Sequence, residues 1–233
     1  SLLEWEEEVL VANTEGVFAE EKRVRTRLFV LAVAQDGAEV QTGYSAPGKS
    51  VGLELFDLYP PKAVGEKAAR QALTNLKARP APAGTFPVVV GPGFGGVLFH
   101  EAVGHLLETT SVARKASVLA DKLGEVVASP AVTYIDDGTL PHAWGSTEMD
   151  DEGRPTERTV LIEKGVLKSY MVDRLGHLLT GYPMTGSGRR QDYTFAPTSR
   201  MRNTFLAPGE ARVEDLFAGI AFGLYAKEMG GGQ

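Results

Sequence analysis

His100 and His105 stand five positions apart, and Glu101 directly follows the first of them. All three lie in the apolar run Val97-Leu98-Phe99-His100-Glu101-Ala102-Val103-Gly104-His105-Leu106-Leu107-Glu108. Two neutral imidazoles and one carboxylate are the parts of a hydrolytic metal site: nitrogens to hold a divalent ion such as zinc, and an oxygen to accept a proton from water. The common form of that element, His-Glu-x-x-His, is one residue shorter. On a helix turning about 100° per residue, positions i and i+5 diverge by roughly 140°. A straight helix therefore cannot aim both rings at one ion. A π-bulge would restore the common face, and Gly104, just ahead of the second histidine, tolerates backbone geometry that other residues resist. The spacing predicts a bulge or break between Glu101 and His105, with Glu101 as general base. The competing reading is a buried helix carrying two incidental histidines. Two imidazoles would also suit divalent ions other than zinc.

The segment leading into this run is consistent with a built site. Pro87-Val88-Val89-Val90 reads as a buried strand, and Gly91-Pro92-Gly93-Phe94-Gly95-Gly96 as a glycine-rich turn into the helix. That turn lacks the Gly-Lys-Ser/Thr ending of a phosphate loop and misses the dinucleotide spacing, so nucleotide binding is not expected. Glu108, three residues after His105, reads as a capping or pairing residue at the helix end rather than a ligand. Gly186-Ser187-Gly188-Arg189-Arg190 reads as a loop that could present the Arg189 and Arg190 guanidiniums to a substrate carboxylate or carbonyl, or equally as a solvated turn. Asp136-Asp137-Gly138 and Asp150-Asp151-Glu152-Gly153 read as acidic turns, the second without calcium-loop spacing. His142 and His177 read as structural or exposed.

The positioning elements follow from periodicity. Residues 8–12 read as a strand and Asn13-Thr14-Glu15-Gly16 as a turn. Residues 27–34 and 39–44 form a hairpin about Asp36-Gly37. A helix is expected from Pro60-Pro61 to about Arg79, with Val64, Ala68, Ala72, Leu73 and Leu76 as its apolar stripe. Residues 80–84 form the clearest linker, dividing an N-terminal α/β part (1–79) from a second domain (85–233). Beyond the motif come a strand at 132–135 and a hairpin of 159–162 with 166–171. A helix is expected over 213–227 with Val213, Leu216, Phe217, Ile220 and Leu224 on one face. Strands and helices are segregated more than alternated, which gives an α+β class with mixed or antiparallel sheets and packed helices.

Composition narrows the function classes. The 233 residues are 43% hydrophobic and 23% charged, ordinary for a globular chain. A net charge of −6 disfavours a nucleic-acid partner. No apolar run reaches membrane-spanning length, so no membrane partner is expected. The chain has no cysteine, which excludes disulfides and thiol nucleophiles and fits a reducing compartment.

Taken together, several ordered blocks resemble the TldD/PmbA family of bacterial and archaeal metallopeptidases. They are Pro82-Ala83-Gly84-Thr85, the His100 to His105 element, Asp136-Asp137-Gly138-Thr139, Asp150-Asp151-Glu152-Gly153, Gly186-Ser187-Gly188-Arg189-Arg190, Arg200-Met201-Arg202-Asn203-Thr204 and Gly230-Gly231-Gly232-Gln233. The His-Glu-x-x-x-His element resembles the TldD branch in particular. The resemblance implies a two-domain architecture and a cytoplasmic zinc peptidase acting on unfolded or flexible peptides. His100 and His105 would be zinc ligands and Glu101 the base. It implies a dimer, either of identical subunits or with a related silent subunit; older naming calls such proteins gyrase modulators. It also implies a cysteine ligand beyond Gln233 and a longer N-terminal domain, so the chain reads as a piece of a longer protein. The alternative from another class is a catalytically silent subunit that binds a peptide or partner without cleaving it.

Overall fold

A computed structural model describes residues 1–228 of the chain, which forms two compact units. The first comprises residues 1–10, 20–83 and 141–144; the second takes 11–19, 84–140 and the chain from 145 onward. Antiparallel sheets and short helices make the class α+β, as the segregation of strands and helices indicates.

The first unit holds β1 (Leu2–Ala12), β2 (Phe18–Leu28), β3 (Val30–Asp36), β4 (Glu39–Ser45), β5 (Gly48–Lys49), α1 (Leu55–Leu58) and α2 (Pro61–Leu76). β1 begins well before the expected residue 8. Its acidic residues meet a basic neighbouring strand: Lys22 Nζ lies 2.7 Å from Glu6, and Arg23 reaches Glu7 at 3.9 Å. Cross-strand pairs of opposite charge stabilise a sheet in a way that a reading of one strand alone misses. The expected strand over 27–34 is divided, because β2 ends at Leu28 and β3 starts at Val30 in a separate hairpin with β4.

α2 starts with Pro61 at its first helical position, where a missing N–H costs nothing. It stops at Leu76, short of the expected Arg79, which the following Pro80 keeps out of helical geometry. Val64, Ala68 and Ala72 are buried, whereas Leu73 of the expected stripe is exposed. The helix lies so close to β4 that a Cβ on Gly43 would come within 2.3 Å of the Ala68 carbonyl oxygen.

The second unit contains β6 (Val88–Val90), α3 (Gly96–Ala102), α4 (Thr109–Val112), β7 (Tyr134–Asp137), β8 (Arg158–Glu163), β9 (Val166–Leu167), α5 (Arg174–Thr180), β10 (Gly188–Arg189), β11 (Thr198–Ser199), β12 (Thr204–Leu206) and β13 (Leu224–Ala226). A four-stranded antiparallel sheet runs in the order β12-β7-β8-β9. Leu107, Val112, Tyr134, Leu161, Leu167, Tyr170, Met171 and Met201 are among its core residues. β10 pairs with β11, and β6 pairs in parallel with β13.

Three expectations are corrected here. The helix expected over 213–227 is a 3-10 turn at Val213–Leu216 followed by β13. Gly219 adopts φ +78°, incompatible with a continuing helix, and residues 224–226 are taken up by pairing with β6. β6 itself is only half-buried, with Val88 exposed. Asp136 and Asp137 are not a turn after β7 but its last two residues, both buried. The block 230–233 lies outside the described residues.

Candidate metal centre

α3 ends at Ala102, and Val103 leaves helical geometry with φ −128° and ψ −45°. A 3-10 turn, Gly104–Leu107, then resumes the winding. This is the predicted interruption between Glu101 and His105, in the form of a break rather than a π-bulge. Gly104 has a different reason from the one its type suggests. It does not adopt positive φ; a Cβ there would lie 2.3 Å from Met201 Sδ and 3.1 Å from Tyr134 Oη. Glycine is needed for space, because the step must press into the core.

The step is pinned on both sides. Tyr134 Oη donates to the Phe99 carbonyl at 3.4 Å, and Ser117 Oγ to the Leu106 carbonyl at 2.6 Å. Past the turn, Met171 N–H donates to the Leu107 carbonyl at 2.9 Å and Thr109 N–H to the Met171 carbonyl at 3.0 Å. The Thr109 hydroxyl donates to Asp173 Oδ1 at 2.9 Å, so α4 is tied to the start of α5.

The result is a cluster. One ligand-capable atom from each of His100, Glu101 and His105 lies within 4.8 Å of the others. The two imidazoles stand edge to face, ring centroids 5.0 Å apart. His105 Nε2 is 3.7 Å from Glu101 Oε2, and both side chains are partly open to solvent. Each histidine uses its other nitrogen on the protein: His100 Nδ1 meets Thr204 Oγ1 at 3.3 Å, and His105 Nδ1 meets Glu108 Oε1 at 3.1 Å. Both contacts use Nδ1, on the opposite side of the ring from Nε2. Burial, reinforced by the neighbouring His105, lowers the His100 pKa and favours the neutral ring that binds metals. Two imidazoles suit zinc as ligands, with a carboxylate beside them placed to act on bound water.

Arg189 and Arg190 end up in different roles. Arg189, on β10, lies within electrostatic reach of His100 and donates to the Met201 carbonyl at 3.0 Å. The Arg190 N–H donates to Asp151 Oδ2 at 2.9 Å. The structure also brings in residues that sequence reasoning did not place at the site. Thr204 reaches His100 from β12, and Arg200 Nη1 donates to Glu108 Oε2 at 3.3 Å. Their only sequence signal was membership of the block Arg200-Met201-Arg202-Asn203-Thr204. Glu108 does pair at the end of the turn, and its side chain is only 4% exposed. His177 is a local structural group, its Nδ1 2.7 Å from the Tyr182 carbonyl. His142 belongs to the first unit, where its carbonyl accepts from Ser50 N–H.

The acidic segments accept backbone donors. Asp150 Oδ1 accepts from Glu152 and Arg154 N–H at 2.9 Å each, and Oδ2 from Gly188 N–H at 3.0 Å. Asp136 Oδ1 accepts from Arg202 N–H at 2.7 Å, and burial pushes its carboxyl up to about 7. These groups hold the loops carrying Arg189, Arg200 and Thr204.

Residues 83–233 match the PmbA/TldA metallopeptidase C-terminal domain, and residues 1–76 the central domain of the same family. A metalloprotease TldD homolog of Haemophilus influenzae is 41% identical over 97% of this chain and 48% of its own length. A zinc metalloprotease TldD homolog of Saccharolobus solfataricus is 31% identical over 88% of this chain and 46% of its own. The chain thus spans about half the length of the curated relatives it matches. Among solved structures, a candidate modulator of a DNA gyrase from Thermotoga maritima superposes with TM-score 0.76 at 28% identity, covering 91% of this chain and 47% of that one. TldE of Thermococcus kodakarensis shares the fold, with TM-score 0.74 at 23% identity over 96% and 49% of the two chains. With family domains matched along nearly its whole length, the chain belongs to the PmbA/TldD metallopeptidase family.

Proposed function

We propose that this chain carries the metal-binding part of a cytoplasmic zinc peptidase that hydrolyses unfolded or flexible peptides. The observation that carries the reading is the break at Val103, which brings His100, Glu101 and His105 to one point despite their five-residue spacing. A buried helix with incidental histidines has no need of it. His100 and His105 would hold the ion through their Nε2 atoms. Zinc held there would polarise a peptide carbonyl and lower the pKa of water. Glu101, half-exposed and 3.7 Å from His105 Nε2, would take the proton from the attacking water and deliver it to the leaving amine.

β12 supports a mode of peptide recognition. Asp137 N–H donates to the Asn203 carbonyl and Ala207 N–H to the Thr133 carbonyl, so residues 203, 205 and 207 face β7. By alternation, the backbone groups of Thr204 and Leu206 turn the other way, and the Thr204 hydroxyl reaches His100. An extended peptide could pair there by its main chain, which would read extension more than sequence. Arg189 and Arg190 would contact substrate carbonyls or a carboxylate. The assembly would be a dimer, of identical subunits or with a related one.

Metal analysis of the full-length protein beside casein digestion tests the reading. Near-stoichiometric zinc and chelator-sensitive cleavage are expected. Glu101→Gln should keep the zinc and lose turnover by about 10²–10⁴-fold. Loss of metal together with turnover would make Glu101 a ligand or a structural group instead. Absence of both metal and cleavage in the wild type would overturn the peptidase reading in favour of a silent binding subunit.

A further inference from the structure

Glu108 is a nearly buried carboxylate that the proposed reaction does not use. Its side chain is 4% exposed, whereas the His105 ring beside it is 37% exposed. Its backbone is fixed by the flanking bonds of Leu107 and Thr109 to Met171. Burying a carboxylate is costly unless it is paired and hydrogen-bonded. Here each oxygen has a partner: Oε1 faces His105 Nδ1 at 3.1 Å, and Oε2 accepts from Arg200 Nη1 at 3.3 Å. The opposite ring nitrogen, Nε2, is the one turned toward Glu101. His100 is treated differently, for its Nδ1 meets a neutral hydroxyl on Thr204.

We infer that Glu108 is a positioning residue of the metal centre. Held by Arg200, it accepts the Nδ1–H of His105 and fixes the tautomer that leaves Nε2 with a free lone pair for the ion. Such outer carboxylates orient a ligating histidine, raise its basicity, and typically contribute 10–100-fold in metal affinity. Glu108 therefore acts through His105 and is not itself a ligand; the ligand-capable cluster consists of His100, Glu101 and His105 among the described residues. This inference rests on reading those three as a metal centre.

The test uses full-length protein, with zinc affinity from competition against a chromogenic chelator. Nitrogen NMR of the metal-free protein gives the His105 tautomer. Glu108→Ala should weaken zinc binding by about 10–100-fold, with near-stoichiometric uptake at saturating zinc, and His105 should lose its preference for Nδ1–H. Glu108→Gln keeps the volume and an acceptor oxygen, so it should fold and recover part of both; it decides the matter if the alanine variant fails to fold. Unchanged affinity and tautomer in the variants would overturn the inference alone. A wild-type protein that takes up no zinc would overturn the metal-centre reading and this inference with it.

Discussion

The region around His100, Glu101 and His105 and the acidic segments around Asp136 and Asp150 look equally chemical in a sequence, yet they are built in opposite ways. At the first, the Glu101 and His105 side chains are 42% and 37% exposed; each imidazole meets a protein partner through Nδ1, and His105 Nε2 faces the open Glu101 carboxylate at 3.7 Å. At the second, Asp136 and Asp150 are buried; both Asp150 oxygens accept backbone N–H groups, of Glu152, Arg154 and Gly188, and Asp136 Oδ1 accepts that of Arg202. Polar groups with spare bonding capacity facing solvent are available to a ligand. Polar groups whose capacity is spent on the backbone hold the fold. What separates them is how much of each group's hydrogen-bonding capacity is left over, more than residue type.

The widest separation should come from paired substitutions. Glu101→Gln should cost about 10²–10⁴-fold in peptide hydrolysis while shifting stability by no more than about 0.5 kcal/mol. Asp150→Ala strands three donors and should cost roughly 3 kcal/mol or more in urea unfolding. A large loss of stability from Glu101→Gln would erase the contrast. Gly104→Ala tests the joint between the regions: overpacking against Met201 and Tyr134 should cost about 1–3 kcal/mol and weaken metal uptake, and crystallography of the variant would show whether His105 moves. The last effect concerns pH. Asp136 and Glu152 are both raised to about 7, by burial first of all. A carboxyl whose folded pKa lies above its unfolded one favours the folded state when protonated. The contribution of these two groups to stability should therefore be full near pH 4 and decline toward pH 7, by less than about 1.4 kcal/mol per pH unit for each group. Asp136→Asn should remove its share of that slope; an unchanged urea midpoint profile from pH 4 to 7 would refute the assignment.

The two helices expected from apolar stripes show how far periodicity reaches. Residues 61–76 form α2, because a proline start and small buried residues at 64, 68 and 72 agree with a sheet face close enough to need Gly43. The stripe at 213–227 has the same spacing but yields only a 3-10 turn and β13. Gly219 turns to positive φ, and pairing of 224–226 with β6 supplies backbone bonds that a helix would otherwise make. Periodicity reports which residues are apolar, and a distant strand can still claim them.

At the candidate metal centre, the sequence by itself determined the donor types, the family and the need for an interrupted helix, because a five-residue spacing cannot serve one ion from a straight one. Only the tertiary structure decided how the interruption is made, since Gly104 is demanded by Met201 and Tyr134, residues 97 and 30 positions further along the chain. It also decided that each ring meets its partner through Nδ1, by the placing of Thr204, Glu108 and Arg200. Those contacts span up to 104 positions of sequence, and no local pattern of residue types encodes a hydrogen bond across that distance.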